Sequence, residues 1–415
     1  MILGHNAWGE TLYLKDVFPD APLLACFEFY YGASGRDVSF DPEFPDSLNA
    51  RLRLRTLNAV NLMGLDAADL GHTATEWQHS TYPPRYRDMI SVAHEGIDTG
   101  RVKPDRDAKL ILPDGRTLTR EDEIVTYVAR NLEPYRGFHV FMRALPEIQR
   151  RRPGAHVVIV GGDDVSYGRA PANGRTWRQV MLAEVGSMLD LSRVHFLGRV
   201  PYDRYLKVLQ VSSAHVYLTY PFVLSWSMLE AIAAGCVVVG SDTPPVKEVI
   251  RDGENGLLAD FFDTEAIAEK VESVLADPQR MEALRASARQ TIVEKYDRAT
   301  VCLPRQLRLI YGLTHGGPGQ ASLKVARPGF PLPAPGIQLT AKEGEVMEWL
   351  RQGKSAWEVA KILGRSEHTV KNQMRNIYCK LGVRNRVDAL QSTFRTTPSE
   401  GMEHSTNVPY QAFAR

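Results

Sequence analysis

The sequence predicts an α/β fold of two doubly wound domains in a row, the first incomplete, followed by a small all-α helix-turn-helix domain. Three observations predict it. Between residues 118 and 313, short continuous apolar runs alternate with amphipathic helical stretches, the pattern of a parallel sheet covered on both faces. Residues 314–336, THGGPGQASLKVARPGFPLPAPG, are dense in Gly and Pro and read as a linker. Residues 337–392 carry helical apolar stripes separated by turns. The predicted organisation is thus 1–117, 118–313, 314–336 and 337–392, with a polar, aperiodic tail over 393–415.

The elements follow in order. MILGHNAWGE opens on a strand, and APLLACFEFYY (21–31) is a second. DSLNARLRLRTLNAVNLMGLDAADL reads as a helix, and GHTATEWQHS and ISVAHEGIDT complete the first domain. A doubly wound domain normally has more strands than this stretch supplies. The expectation is that Ile2, Leu3, Leu23, Leu24 and Phe27 need further strands to bury them. In the second domain the strands are EIVTYVAR (123–130), AHVVIVGGD (155–163), VHFLG (194–198), AHVYLTY (214–220) and CVVVGSD (236–242). Helices such as GFHVFMRALPEIQRRRPG and SMLEAIAAG fill the gaps. Ligands of such a sheet sit at the C-terminal ends of its strands.

Composition narrows the function. The chain has 415 residues, with 50 Lys+Arg against 49 Asp+Glu. A balance this close to neutral excludes a global basic field, so any nucleic-acid binding must be local. The four cysteines (Cys26, Cys236, Cys302, Cys379) form no CxxC pair. That argues against a zinc site or a disulfide framework and fits a reducing compartment. No apolar run approaches the roughly 18 residues of a membrane helix. The first residues lack the basic stretch followed by an apolar core that marks a secretory signal. The expectation is a soluble, cytoplasmic protein without a transmembrane segment.

Several segments carry a resemblance when taken together. VAHEGIDT (92–99), VTYVARNLEPYRGFHVFMRAL, VVIVGGD (157–163), VHFLGRV (194–200) and SMLEAIAAGCVVVGSDTPPVKEVIRDGENGLL (227–258) occur in one order. Residues 91–313 in this respect resemble the family 4 glycosyltransferases of the GT-B fold, which has twin Rossmann-like domains. The resemblance implies a retaining, metal-independent transferase that takes a nucleotide sugar as donor substrate, needs no cofactor and acts on a sugar acceptor.

The residues give that chemistry a physical basis. The leaving nucleoside diphosphate gathers negative charge, and fixed cations aimed at it lower the barrier. Arg130 at a strand tip and Arg136 opening the next helix are typed for this, because a guanidinium grips phosphate with two hydrogen bonds. Glu230, in the helix after AHVYLTY, is placed to accept ribose hydroxyls, as acidic residues do in other doubly wound sheets. These three form the catalytic set. The loop Ser225, Trp226, Ser227 opens that helix, and its N–H groups can hold a diphosphate. Gly161 and Gly162 end a strand and permit close backbone approach, which a tight turn explains equally well. These five form the donor-binding set. The resembling family has an E-x7-E motif whose second Glu is Glu230, but its first position here is Phe222. Of the titratable N-terminal residues, His5, His72 and His79 lie near strand ends or loops. No metal ligands are assigned, and Arg51, Arg53, Arg55 and Arg150–Arg152 read as solvated charges.

Residues 339–390 read helix, turn, helix, turn, helix, with a short fourth helix. Val346, Met347 and Leu350 form one apolar stripe, and Val359, Ala360, Ile362 and Leu363 form the next. Ser355 and Ser366 cap the second and third helices. LTAKEGEVM, VAKILG, TVKNQ and KLGV make the segment resemble the LuxR-type DNA-binding domain, with Lys342 and Gln373 as departures. Lys371, Arg375, Lys380, Arg384 and Arg386 on the third helix and its exit form a local basic patch. The resemblance implies double-stranded DNA as partner, read by Thr369, Lys371, Asn372, Gln373, Arg375 and Lys380, with pairing as a homodimer on two half-sites. Two readings remain: a glycosyltransferase with a DNA-binding module, or a catalytically degenerate, nucleotide-sugar-sensing transcriptional regulator.

Overall fold

The computed structural model describes residues 1–315 and 338–381, with Ala389, Arg395 and Thr396. The linker 314–336 (from 316 on), Gly382, Arg384, Arg386 and nearly all of the fourth helix and the tail lie outside the described residues. The chain divides into two compact units, Met1–Thr314 and His315–Arg415. Among the described residues, no helix is long and apolar enough to cross a membrane.

The first unit holds two parallel sheets. Strands β1 (Ile2–His5), β2 (Leu23–Cys26), β3 (Leu70–Thr73) and β4 (Ile90–Val92) lie side by side in chain order. Helix Leu48–Ala67 joins β2 to β3, and Ser47 caps it by accepting the Ala50 N–H. Leu23, Ala25 and Phe27 pack with Leu65, Tyr82 and Ile90. The expectation that further strands must bury Leu23, Leu24 and Phe27 is corrected, since each is at most 3 % exposed within the described chain. Leu3 remains open to solvent. β2 is shorter than its apolar run. Asn58 and Asn61 of the helix draw the chain off the sheet: Tyr31 N–H donates to Asn58 Oδ1 (3.0 Å) and Asn61 Nδ2 donates to the Phe29 carbonyl (2.9 Å).

A hairpin, β5 (Lys109–Ile111) and β6 (Thr117–Thr119), was not apparent in the sequence. Its turn carries Asp114-Gly115, with Gly115 at φ 85, the chemistry that tight hairpins require. Leu110, Leu112 and Leu118 pack against Val158 and Val160 of the larger sheet and Val208 of the helix Tyr202–Val211.

That sheet holds β7 (Ile124–Asn131), β8 (His156–Gly162), β9 (Val194–Gly198), β10 (Ala214–Tyr217), β11 (Val237–Ser241) and β12 (Leu257–Ala259). Its order is β12-β11-β10-β7-β8-β9. The order reverses between β7 and β10, which opens a crevice at their C-terminal ends. Gly137 makes this geometry possible. It has φ 70, and a Cβ there would lie 2.3 Å from Leu218 Cβ, so only Gly lets Arg136 and the following helix sit against β10.

Residues 36–46 leave the first sheet and strap onto the second. Asp41 accepts from Tyr220 Oη (2.6 Å) and His139 Nε2 (2.9 Å), Asp37 accepts from Tyr135 Oη (3.0 Å), and Glu43 pairs with Arg143. Phe40 packs against Tyr220, Phe261 and Phe262. Asp41, Glu43 and His139 come within 4.8 Å of one another, but these bonds already occupy the carboxylates.

In the second unit, helices Ala341–Arg351 and Ala356–Ile362 each begin with a capping box, Thr340 with Glu343 and Ser355 with Glu358. Ser366 accepts the Thr369 N–H at the start of Glu367–Leu381. Val346, Met347, Leu350, Val359, Ala360, Val370 and Ile377 make the core. Ile362, expected in that core, is 45 % exposed because the helix ends there, and Leu363 is its half-buried C-cap.

Candidate functional site

The crevice at the end of β7 is a cleft of about 500 Å³ within the first unit. One wall carries His5, Glu28, His94 and Glu95; the other carries Arg130, Glu133, Arg136, Tyr167, Ser225 and Trp226.

Arg130, at the end of β7, is exposed and has no hydrogen-bond or ion-pair partner among the described residues. Arg136 is 9 % exposed. Its Nη1 donates to Thr219 Oγ1 (2.8 Å), the Val223 carbonyl (2.9 Å) and Tyr217 Oη (3.4 Å). Its guanidinium lies 5.2 Å from the Tyr167 ring centre, within cation–π range. Among the described residues, one cation is therefore without a partner in the cleft lining and the other is fixed in the wall.

Ser225 caps helix Trp226–Ala233 by accepting the Ser227 N–H, and its own N–H donates to Tyr217 Oη (2.8 Å). Ser225 and Trp226 face the cleft, whereas Ser227 is bonded to Ser225 (2.9 Å) outside the lining. Glu230, one turn further on, is also outside the lining; Tyr202 (2.6 Å) and Tyr205 (2.7 Å) each donate a hydroxyl to its carboxylate. Gly161 and Gly162 do not reach the cleft lining. The close approach at Gly161 is to the neighbouring strand, since a Cβ would lie 2.6 Å from Leu132 Cδ2 and 2.9 Å from the Ala129 carbonyl. At Gly162 it would meet Asn131 and Arg199. Phe222 is buried against Phe29 (4.8 Å), Tyr167 (5.2 Å) and Tyr135 (5.7 Å), and its carbonyl accepts from Trp77 Nε1 (3.0 Å). Aromatic packing, not a carboxylate, fills that position.

On the opposite wall, His5 lines the cleft, His72 lines a separate apolar pocket, and His79 bonds the Arg87 carbonyl (3.0 Å). Sequence reasoning missed His94, Glu95 and Glu133. Burial pushes His94 down to about 4, and its Nδ1 accepts the Gly96 N–H (2.8 Å), so the neutral ring carries its proton on Nε2. Burial also raises the Glu95 carboxyl, and it raises the Cys26 thiol to about 12 with help from Glu95 and Glu28. Cys26 is thus no thiolate nucleophile.

In the second unit, Thr369, Lys371, Asn372, Arg375 and Lys380 are exposed on the third helix, and Gln373 is half-buried. Lys371 pairs with Glu367 and Lys380 with Glu343, both at 2.7 Å. Arg375 has no partner among the described residues.

Comparison with known proteins agrees with this fold. Residues 1–102 match the model of the glycosyl transferase family 4 group, residues 114–291 that of glycosyl transferases group 1, and residues 337–393 that of the luxR family of bacterial regulatory proteins. The chain is 31 % identical over 203 residues to a D-inositol 3-phosphate glycosyltransferase of Rhodococcus opacus, covering 48 % of this chain and 43 % of that one. It is 26 % identical over 247 residues to a GDP-mannose-dependent alpha-(1-6)-phosphatidylinositol monomannoside mannosyltransferase of Mycolicibacterium smegmatis, covering 57 % and 61 %. The chain spans about half the length of the curated relatives it matches. Sucrose-phosphate synthase of Thermosynechococcus elongatus superposes with a TM-score of 0.57 at 21 % identity, over 74 % of this chain and 72 % of that one. Anabaena HepE in complex with UDP-glucose does so with 0.53 at 16 %, over 73 % and 76 %. At these identities the likeness is one of fold. The chain thus joins a region of GT-B fold that matches the family 4 group and group 1 glycosyl transferases to a region that matches the luxR family of bacterial regulatory proteins.

Proposed function

We propose that the first unit transfers a sugar from a nucleotide-sugar donor to a sugar acceptor, retaining the anomeric configuration and using no metal. We extend this to the second unit as a duplex DNA-binding module through which the protein regulates transcription in the cytoplasm. The observation that carries the enzymatic reading is the pair Arg130 and Arg136 on one cleft wall, the first without a partner among the described residues and the second buried and hydrogen-bonded. Charge grows on the diphosphate as it leaves, and preorganised cations stabilise it without reorganising. The same two cations take the role a metal would otherwise play. Retention of configuration is carried over from the family resemblance.

A nucleotide sugar is the donor class of group 1 glycosyltransferases, and the neighbour of known structure holds UDP-glucose. The test is calorimetric titration of the full chain with UDP-glucose, GDP-mannose and ADP-glucose, beside Arg130→Ala and Arg136→Ala. Binding of at least one donor that both variants weaken supports the reading; binding indifferent to both substitutions overturns it.

A second reading, a degenerate transferase that senses a nucleotide sugar, is favoured by one observation. Phe222 fills an aromatic cluster where the resemblance places a carboxylate, and Glu230 is held by two tyrosines outside the cleft lining. Donor binding without turnover of any acceptor would select it.

A further inference from the structure

Glu133 lies midway in sequence between Arg130 and Arg136, yet it is 1 % exposed and has no cation partner among the described residues. Its carboxylate instead gathers three successive backbone N–H groups: Oε1 accepts from Ser166 (3.1 Å), and Oε2 accepts from Tyr167 (3.1 Å) and Gly168 (2.9 Å). Successive N–H groups turned to one point make an anion-binding nest, and here the protein's own carboxylate fills it. The same loop is pinned elsewhere. Asn131 Nδ2 donates to Ser166 Oγ (2.8 Å), and Arg199 Nη2 donates to both Asn131 Oδ1 (2.8 Å) and Asp164 Oδ2 (2.7 Å).

What the clasp presents is Tyr167. Its ring lies over Arg136 and against Phe222, each 5.2 Å from its centre. The residue is nevertheless 40 % exposed and lines the cleft. An open aromatic face held by three backbone hydrogen bonds beside a buried cation suits stacking on a ring next to a phosphate.

We infer that Tyr167 is a contact residue for the ring-bearing part of the donor, and that Glu133 is a positioning residue acting through Tyr167. The inference rests on the cleft being the donor site. A buried glutamate that only stabilised the fold would have no energetic link to Tyr167 in ligand binding, and the two can be separated on that point.

The experiment titrates the full chain with UDP-glucose and GDP-mannose, their nucleoside diphosphates UDP and GDP, and inorganic pyrophosphate. Tyr167→Ala is expected to weaken the preferred nucleotide sugar roughly tenfold while leaving pyrophosphate unchanged, and Tyr167→Phe restores it. Glu133→Gln keeps the volume but sets an amide against backbone donors, and it is expected to weaken the same ligand to a similar degree. The double variant Glu133→Gln/Tyr167→Ala is then no weaker than Tyr167→Ala alone, because coupled residues fail to add. Loss that extends to UDP or GDP assigns the contact to the base, and loss confined to the nucleotide sugar assigns it to the sugar; either supports the inference. Donor binding that Arg136→Ala weakens and Tyr167→Ala does not overturns it, as does a Glu133→Gln effect that adds fully to that of Tyr167→Ala. If Arg130→Ala and Arg136→Ala also change nothing, the donor-site reading itself fails.

Discussion

The cations of the cleft and those of the third helix in the second unit are built differently. Arg136 is buried and holds three hydrogen-bond partners, whereas Arg130, in the same cleft lining, has no partner among the described residues. On the helix, Lys371 and Lys380 are exposed and already paired with Glu367 and Glu343, and Arg375 is open. A buried cation keeps its field because little water screens it, whereas an exposed one acts through counterion release. The cleft should therefore respond to substitution and little to salt, and the helix should respond mainly to salt.

The largest expected effect is at Arg136. Arg136→Ala should lower kcat/KM by roughly 2–4 kcal/mol of transition-state stabilisation, as removal of one preorganised donor does elsewhere. An effect on KM alone would show that the buried guanidinium binds the ground state equally well, and would blunt the contrast.

Next comes pH. Burial pushes the Asp37 carboxyl up to about 6, against a hydrogen bond from Tyr135 that lowers it. A raised carboxyl means the folded state binds the proton more tightly than the unfolded chain. Its contribution to stability is thus present at low pH and is lost as pH rises from 3.8 through about 6. The loss is on the order of 2–3 kcal/mol. Asp37→Asn should flatten that part of the stability curve, read from urea midpoints at pH 4, 5, 6 and 7, all about one unit apart. An unchanged curve would mean the strap does not carry this proton.

The smallest effect sharpens the other side. Arg375→Ala should reduce the slope of log K against log salt for duplex DNA by about one unit. Lys380→Ala should reduce it by less, because Glu343 already shares that charge. Equal slopes for both variants would show that the ion pair opens on DNA at no cost.

The same contrast explains what could be read from sequence. The wall carrying Arg130 and Arg136 was legible because strand, turn and helix are contiguous over 123–151, and the second unit because Ser355 and Ser366 announce its second and third helices. Tertiary contacts hid the rest. The strap 36–46 has no periodicity of its own, and Asp41 finds His139 and Tyr220 only after folding. AHVYLTY reads as seven strand residues, but the chain leaves the sheet after Tyr217, and Tyr220 N–H bonds the Tyr135 carbonyl instead (3.1 Å). Gly161 reads as a donor-binding residue in the sequence, whereas the close approach it makes is to β7, which its sequence context does not announce. Glu230 stood out by its place in the helix after AHVYLTY and by the family resemblance, while the two tyrosines that hold it lie 28 and 25 residues away along the chain.

The central claim is that the cleft carries donor chemistry through its two arginines. Its most direct measurement is release of nucleoside diphosphate from UDP-glucose, GDP-mannose and ADP-glucose by the full chain, beside Arg130→Ala and Arg136→Ala. Turnover of at least one donor by the parent chain is expected, with a loss of roughly 30- to 1000-fold in the Arg136→Ala variant. Turnover that survives both substitutions at the parent rate would contradict it.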